Sequence, residues 1–153
     1  MHRIDDTDRK ILALLQKDAS LSSAEVAERI GSSQSPVWRR INAMEKSGVI
    51  SKKVVIVDAK KAGFGFTVFV RLKLTEHGKN TLSDVEKKLS HLPHVQECQI
   101  LLGDIDFRLR VVAKDLDDFE KFLEIHLLPL EGIREITSRV VVRNIKDTRE
   151  LPL

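Results

Sequence analysis

The amino-acid sequence predicts an α+β protein in which an N-terminal winged helix-turn-helix precedes a ferredoxin-like βαββαβ domain. Two observations support this division. Residues 5–47 show the apolar spacing of short helices, whereas residues 66–145 alternate between β-branched strands and amphipathic helices. We therefore place a helix-turn-helix unit at residues 1–50, a wing or linker strand at 51–65 and the βαββαβ domain at 66–153. With 153 residues, 42% of them hydrophobic, the chain is long enough for two small cores.

Three short helices are expected in the first unit. The first spans Asp5 to Gln16, the second follows its N-cap Ser22 and stops at Gly31, and the third follows its N-cap Ser33 and ends near residue 47. A short capped helix, a glycine turn and a second helix with a polar front form the helix-turn-helix pattern, whose second helix enters the major groove of DNA.

The third helix has an apolar stripe and a polar face. At about 100° per residue, one narrow arc contains Val37, Ile41 and Met44, which we expect to be buried. The opposite arc carries hydrogen-bond donors: Ser35, Arg39, Asn42 and Lys46. Trp38 and Arg40 fall on the two flanks. Arg40 is expected to grip a phosphate or brace the helix, and Trp38 either packs within the unit or lies along the DNA backbone.

Positive charge is concentrated around this helix. Residues 1–60 hold 11 Lys/Arg and 8 Asp/Glu, whereas residues 61–153 hold 15 of each. The segment from Arg29 to Lys53 contains six basic residues and a single acidic one, Glu45. Such a surface suits a polyanion. A solvated helix face with ordinary charges is the competing interpretation, and the helix-turn-helix context favours DNA.

The second domain is expected to contain four strands and two helices. In chain order these are Phe66–Leu74, a helix over Thr81–Ser90, Val95–Leu102, Phe107–Ala113, a helix over Leu116–Leu127, and Ile133–Ile145. This order predicts an antiparallel sheet with both helices on one face, and "LGDID", residues 102–106, is the expected hairpin turn. The β-branched run "VISKKVVIVD", residues 49–58, reads as a strand or wing. Apolar residues on both faces of the sheet, such as Val70 and Phe69, predict that the open face meets another subunit, so we expect at least a dimer.

Several other classes of site and location are not indicated. The spacing of His91, His94 and Cys98 could suit a metal site. However, Pro93 breaks any helix that would bring the two imidazoles to one face, so no metal is expected. We expect Cys98 to face the core; as the only cysteine, it cannot form an intramolecular disulfide. No catalytic triad or phosphate-binding loop is present. The charged N-terminus and the lack of a long apolar run favour a cytoplasmic protein that does not enter the membrane.

Five stretches of the chain resemble the Lrp/AsnC (feast/famine) family of bacterial and archaeal transcription regulators. They are "IDDTDRKILALLQKDASLSSAEVAERIG", "SQSPVWRRINAMEKSGVI", "GDIDFRLRV", "LEGIREITSRVV" and "IKDTRELPL", which follow one another in this order from Ile4 to Leu153 and make up about half of the chain. Three positions depart from the family pattern. Ser32 stands where leucine is usual in the turn, Gln34 replaces a common proline and gains an amide, and Ile105 replaces an aromatic residue.

This resemblance implies a sequence-specific regulator that is not an enzyme and needs no cofactor. Its first unit would bind double-stranded, palindromic operator DNA through residues on and beside the third helix: Ser33, Gln34, Ser35, Trp38, Arg39, Arg40, Asn42, Lys46, Lys52 and Lys53. Of these, Gln34, Ser35, Arg39 and Asn42 are the expected readers of bases.

The resemblance further implies that the ACT-like βαββαβ domain assembles dimers, often tetramers or octamers, and binds an amino-acid effector between subunits. The implied effector residues are Gly103, Asp104, Ile105, Asp106, Thr137 and Ser138, with the two aspartates as acceptors for the ammonium. The Gly-Asp pair is also typical of an ordinary tight turn. Two other functions remain open: an enzyme resembling siroheme decarboxylases, which share the fold, and an architectural DNA-binding protein without an effector.

Overall fold

The computed structural model describes residues 3–75 and 79–153, without the side chains of residues 79–81. The chain divides into two compact units. The N-terminal unit contains the residues up to Ile56 together with residues 146–153, and the sheet unit contains Val57–Ile145. Among the described residues, no helix combines the length and the apolar character needed to cross a membrane.

The N-terminal unit contains three helices close to the expected positions: α1 Asp6–Lys17, α2 Ser23–Ile30 and α3 Gln34–Lys46. Ser22 and Glu25 form the predicted capping box, in which the Ser22 N–H donates to Glu25 Oε2 at 2.8 Å. Gly31 ends α2 with φ +68°, a left-handed conformation that favours glycine.

Apolar stripes from all three helices form the core of this unit. Its buried members are Ile11, Leu12, Leu15, Val26, Ala27, Val37, Ile41 and Met44. The buried stripe predicted for α3 is therefore confirmed. The C-terminal tail joins the same unit, since the side-chain amide of Gln16 exchanges hydrogen bonds of 2.7 and 3.3 Å with the backbone of Leu151. This differs from the expected division, in which residues 66–153 form the βαββαβ domain. Local sequence patterns do not reveal a contact between residues 135 positions apart.

The β-branched run after α3 does not form the expected strand. Residues 51–58 pair with none of the described strands, and Val55 and Ile56 are about nine-tenths exposed, at 89% and 91%. High β-propensity does not make a strand without a neighbour to share its hydrogen bonds.

The sheet unit has the predicted βαββαβ order. It consists of β1 Phe66–Leu74, α4 Lys79–Ser90, β2 Val95–Ile100, β3 Phe107–Ala113, α5 Leu116–Phe122, which continues into a π-helical turn at Leu123–Leu127, and β4 Ile133–Val140. The strands lie in the order β2-β3-β1-β4, and all neighbours are antiparallel.

Two of these strands are shorter than predicted. β4 stops at Val140 instead of Ile145. β1 begins at Phe66 and has no residue opposite positions 143–145, and the last bond joins the Val141 N–H to the Thr67 carbonyl at 2.9 Å. β2 stops at Ile100 because the Leu101 N–H closes the hairpin turn on the Asp106 carbonyl at 3.0 Å.

One face of the sheet carries the core. Val68, Val70 and Leu72 of β1 point to this face and are fully buried with residues from β3, α4 and α5. The register places Phe69 on the opposite, open face, where its neighbours in β3 and β4 are Arg110 and Arg139. The expectation that Phe69 lies on the open face is therefore confirmed, and the register places charged residues beside it on both neighbouring strands.

Cys98 lies on the expected side of the sheet but is not buried there. Cys98 lies opposite Leu109, on the core side of the sheet, but β2 is an edge strand and the cysteine is exposed. Desolvation against the sheet, and next the charge of Glu86, raise the pKa of the Cys98 thiol. Strand alternation gives the face of a residue but not the reach of the helices that cover it.

Candidate functional sites

The polar front of α3 faces solvent. Five of the predicted DNA-binding residues are exposed at the start of the helix or on its outer side: Ser33, Gln34, Ser35, Trp38 and Arg39. Lys46 and Lys52 are exposed as well. Among the described residues, no carboxylate pairs with Arg39 or Lys46. Their charges remain available to an anionic partner.

Arg40 is held inside the unit. Its Nη1 lies 2.7 Å from Asp5 Oδ2 and 2.9 Å from Asp8 Oδ1, and the Asp8 carboxylate is almost completely buried. The hydrogen bond from the Asp8 backbone N–H, followed by that from Arg40, lowers the pKa of Asp5. The same carboxylates, Asp5 first, raise the pKa of Arg40. Of the two roles expected for Arg40, the contacts support the one in which it braces α3 against α1.

Three other predicted residues have partners or environments within the unit. Lys53 Nζ lies 2.7 Å from Glu45 Oε1, and Gln34 Nε2 donates to Ser23 Oγ at 3.3 Å. Asn42 is half-buried instead of fully exposed, and its buried Nδ2 has no hydrogen-bond partner among the described residues. Trp38, at 57% exposure, is not packed into the core.

A polar cleft of about 210 Å³ opens on the exposed face of the sheet. We call it the effector cleft, after the role expected of the hairpin residues that line it. Its walls come from β1, β4 and the hairpin loop between β2 and β3. The side chains and backbone that line it belong to Arg71, Leu72, Lys73, Asp104, Ile105, Glu135, Thr137 and Arg139. Three of the six predicted effector residues thus lie together in this cleft, although 33 residues of sequence separate Asp104 from Thr137.

The other three predicted effector residues lie outside the lining of the cleft. Asp106 is buried and accepts a hydrogen bond from the Leu74 N–H at 2.7 Å, so it fixes the hairpin loop to β1. Ser138 pairs with Val70 and therefore points to the other face of the sheet. Gly103 holds the turn with φ +142°. Asp106 is thus placed as a structural residue, whereas Asp104 faces the cleft.

Four charged residues of the cleft were missing from the sequence prediction: Arg71, Lys73, Glu135 and Arg139. A signal for them existed, since charged residues alternate with valine, leucine and isoleucine along both β1 and β4. That alternation places the charges on one face, but only the strand register brings Lys73 opposite Glu135 and Arg71 opposite Thr137.

Among the described histidines, His94 has partners within the sheet unit. Within the described residues, no group of three or more His, Cys, Asp and Glu side chains could hold a metal ion. His94 instead lies 3.8 Å from Asp118 and packs its ring against Phe122, with 5.3 Å between the ring centroids.

Comparison with known proteins matches both units. Residues 67–151 match the family model for the Lrp/AsnC ligand binding domain, and residues 4–51 match that for a winged helix-turn-helix DNA-binding unit. The glutamate uptake regulatory protein of Zymomonas mobilis is 33% identical over all 153 residues, which cover 93% of that protein. The DNA-binding transcriptional activator DecR of Escherichia coli is 31% identical over 98% of this chain and 99% of its own.

Solved structures agree in fold over nearly the full length. An AsnC family transcriptional regulator from Agrobacterium tumefaciens superimposes with a TM-score of 0.93 and 38% identity, covering 97% of both chains. A transcriptional regulator from Neisseria meningitidis, solved as a complex with L-methionine, gives a TM-score of 0.93 at 29% identity and covers 98% of this chain and 97% of that one.

Proposed function

Because the chain belongs to the Lrp/AsnC family of DNA-binding transcription regulators, we propose that α3 reads operator DNA through Arg39 and that an amino acid bound in the effector cleft modulates this binding. The observation that carries the first part is the contrast between two adjacent arginines. Arg40 is neutralised by Asp5 and Asp8, whereas Arg39 is exposed on the side of α3 opposite its buried stripe.

The surroundings of Arg39 suit the edge of a base pair. A guanidinium can donate to guanine O6 and N7 together, and the exposed Ser35 and Gln34 lie one turn earlier on the same helix. Lys46 and Lys52 would neutralise phosphates on either side of this contact. The brace from Arg40 to α1 supports the proposal, because a reading helix must be held at a fixed angle.

Arg39→Ala tests this assignment. A duplex enriched by the wild-type protein from a random-sequence library serves as the probe, and its affinity is measured by fluorescence anisotropy. We expect Arg39→Ala to lose about tenfold to hundredfold in affinity for this duplex, the value of one good bidentate contact. Lys10→Ala is the matched control, since Lys10 is an exposed cation on α1 of the same unit. Equal losses for the two variants would contradict a base-reading role for Arg39.

We further propose that the protein acts as a homodimer or a larger closed assembly. The exposed apolar run at residues 54–57 supports self-association, since such surface is rarely left in water, and Phe69 adds an apolar side chain on the open sheet face. Two-fold symmetry then requires an inverted-repeat operator with half-sites about one helical turn apart, or a multiple of it. A monomer by light scattering at micromolar concentration would contradict this assembly.

The effector proposal is supported by the cleft and by one relative. The regulator from Neisseria meningitidis binds L-methionine, and the cleft of this chain offers both cations for a carboxylate and carboxylates for an ammonium. A modulated regulator is favoured over an architectural protein because an architectural role has no use for such a cleft. A base-reading helix likewise argues against an enzyme of the siroheme decarboxylase kind. Access to chromosomal DNA supports the expected cytoplasmic location.

A further inference from the structure

The charges that line the effector cleft are not balanced. Arg71, Lys73 and Arg139 are cations, and Asp104 and Glu135 are carboxylates, so one positive charge is left over. An amino acid with an uncharged side chain brings one carboxylate and one ammonium and leaves this excess in place. A ligand with one net negative charge removes it, which matters most when the cleft is closed to water.

Two of these cations, Lys73 and Arg139, lie apart along the strands. Lys73 stands opposite Glu135 in the strand register, whereas Arg139 stands opposite Phe69, four residues from Lys73. Arg71 is engaged, with its Nη2 3.0 Å from Asp104 Oδ2. In the described parts of the chain, no carboxylate forms an ion pair with Lys73 or Arg139. Both line the cleft, Lys73 from β1 and Arg139 from β4. The cleft therefore presents two separate positions at which a carboxylate can be held.

Two carboxylates that can accept from an ammonium also line the cleft. Glu135 stands opposite Lys73 in the strand register and accepts a hydrogen bond from Thr137 Oγ1 at 3.2 Å on one of its oxygens, Oε1. Asp104 closes the cleft from the hairpin loop. Each carboxylate keeps further lone pairs for a donor from the ligand.

The cleft has little to offer an apolar side chain. Among the described residues that line it, Ile105 alone offers an apolar side chain, because Leu72 points to the opposite face and is fully buried in the core. Its volume of about 210 Å³ equals that of roughly seven water molecules at about 30 Å³ each, which is room for a small free amino acid. Polar walls of this kind leave a leucine or methionine side chain without the apolar contacts that stabilise its burial.

We infer that the effector is an amino acid with an acidic side chain, a dicarboxylic amino acid, whose two carboxylates are held by Lys73 and Arg139 and whose ammonium is held by Glu135 and Asp104. This inference rests on the proposed effector function of the cleft and specifies the chemical class of its ligand.

Titration calorimetry on the full chain at low salt tests the inference with matched ligands. The probes are L-glutamate and L-aspartate, their amides L-glutamine and L-asparagine, and the apolar L-leucine and L-methionine. We expect one of the acids to bind about tenfold or more tightly than its own amide, since charge-assisted hydrogen bonds are worth that much. Arg139→Met is expected to bring this ratio close to one. Arg134→Met, which removes an exposed cation of β4 outside the cleft, is expected to leave the ratio unchanged.

The outcomes separate the two proposals. Binding of leucine or methionine without preference for an acid would overturn the inference and leave the effector function of the cleft intact. An acid preference that survives Arg139→Met and Lys73→Met would place the acidic side chain elsewhere and also overturn the inference. No binding by any of the six amino acids would overturn both the inference and the effector proposal.

Discussion

The two units of this protein use their acidic side chains in opposite ways. In the N-terminal unit, Asp5 and the buried Asp8 pair with Arg40, whereas the neighbouring Arg39 faces solvent and pairs with no carboxylate of the described residues. In the effector cleft, carboxylates and cations share one wall, and Arg71 pairs with Asp104 at the surface. A surface with unpaired cations suits a polyanion, whereas a surface with both cations and carboxylates suits a ligand that carries positive and negative charges. The same residue types thus give two different binding surfaces.

The largest effect is expected from removal of the buried Asp8 carboxylate, which pairs with Arg40 in the N-terminal unit. Asp8→Ala leaves Arg40 with Asp5 alone and deletes the acceptor for the Asp5 N–H, which donates to Asp8 Oδ2 at 3.2 Å. Breaking a buried ion pair costs about 3–5 kcal/mol. Because the Arg40 side chain keeps 35% exposure, we expect a loss of about 2–3 kcal/mol in the free energy of unfolding. Trp38 is the only tryptophan, so its fluorescence in urea reports on this unit selectively.

Asp6→Ala is the matched control for Asp8→Ala. Asp6 is an exposed acid in the same first turn of α1 and takes no part in the pairing with Arg40. Its loss removes only a favourable interaction with the helix dipole, worth about 0.3–1 kcal/mol. If the two variants were equally destabilised, the buried pair would not be what holds α1 and α3 together.

The internal pairing marks the limit of sequence-based prediction in this unit. Helical spacing placed Val37, Ile41 and Met44 in the core because burial follows a period of 3.6 residues. The same spacing put Arg40 on a flank but left its role open, since its partners Asp5 and Asp8 are more than 30 positions away.

In the sheet unit, the limit is set by strand neighbours. The order of elements and the hairpin turn followed from β-branched runs and turn residues. The exposure of a residue depends on which strands lie at the edge of the sheet. The order of strands in the sheet cannot be read from local sequence patterns. Alternation therefore gave the side of the sheet on which Cys98 lies but not its exposure. It also gave Asp104 and Asp106 one role, although of the two only Asp104 lines the cleft.

A smaller effect is expected from a phosphate contact at the end of α3. Lys46→Ala should weaken binding to the enriched duplex severalfold and reduce the slope of log affinity against log salt by about 1, because one fewer phosphate is neutralised. Lys88→Ala on α4, an exposed cation of the sheet unit, serves as the control and should leave the slope unchanged. A slope that falls equally in both variants would mean that DNA contacts the sheet unit as well.

The smallest effect concerns acid stability. The hydrogen bond from the Asp8 backbone N–H, and then Arg40, hold the pKa of Asp5 below its ordinary value of 3.8. A depressed folded-state pKa stabilises the native state above the unfolded pKa, and this stability is lost as the pH falls below 3.8 toward the folded value. Asp5→Asn should therefore show a flatter decrease in urea midpoint between about pH 5 and about pH 3. A decrease as steep as that of the wild type would contradict the role of Asp5.

The division of labour between the two units is tested most directly by hydrogen–deuterium exchange of the full-length protein, measured with the enriched DNA duplex and, separately, with L-glutamate. DNA is expected to slow amide exchange at residues 33–46 and to leave residues 71–73 and 135–139 unchanged. Glutamate is expected to slow exchange at residues 71–73, 103–105 and 135–139. Protection of the sheet strands by DNA, with α3 unaffected, would contradict the assignment of the two surfaces.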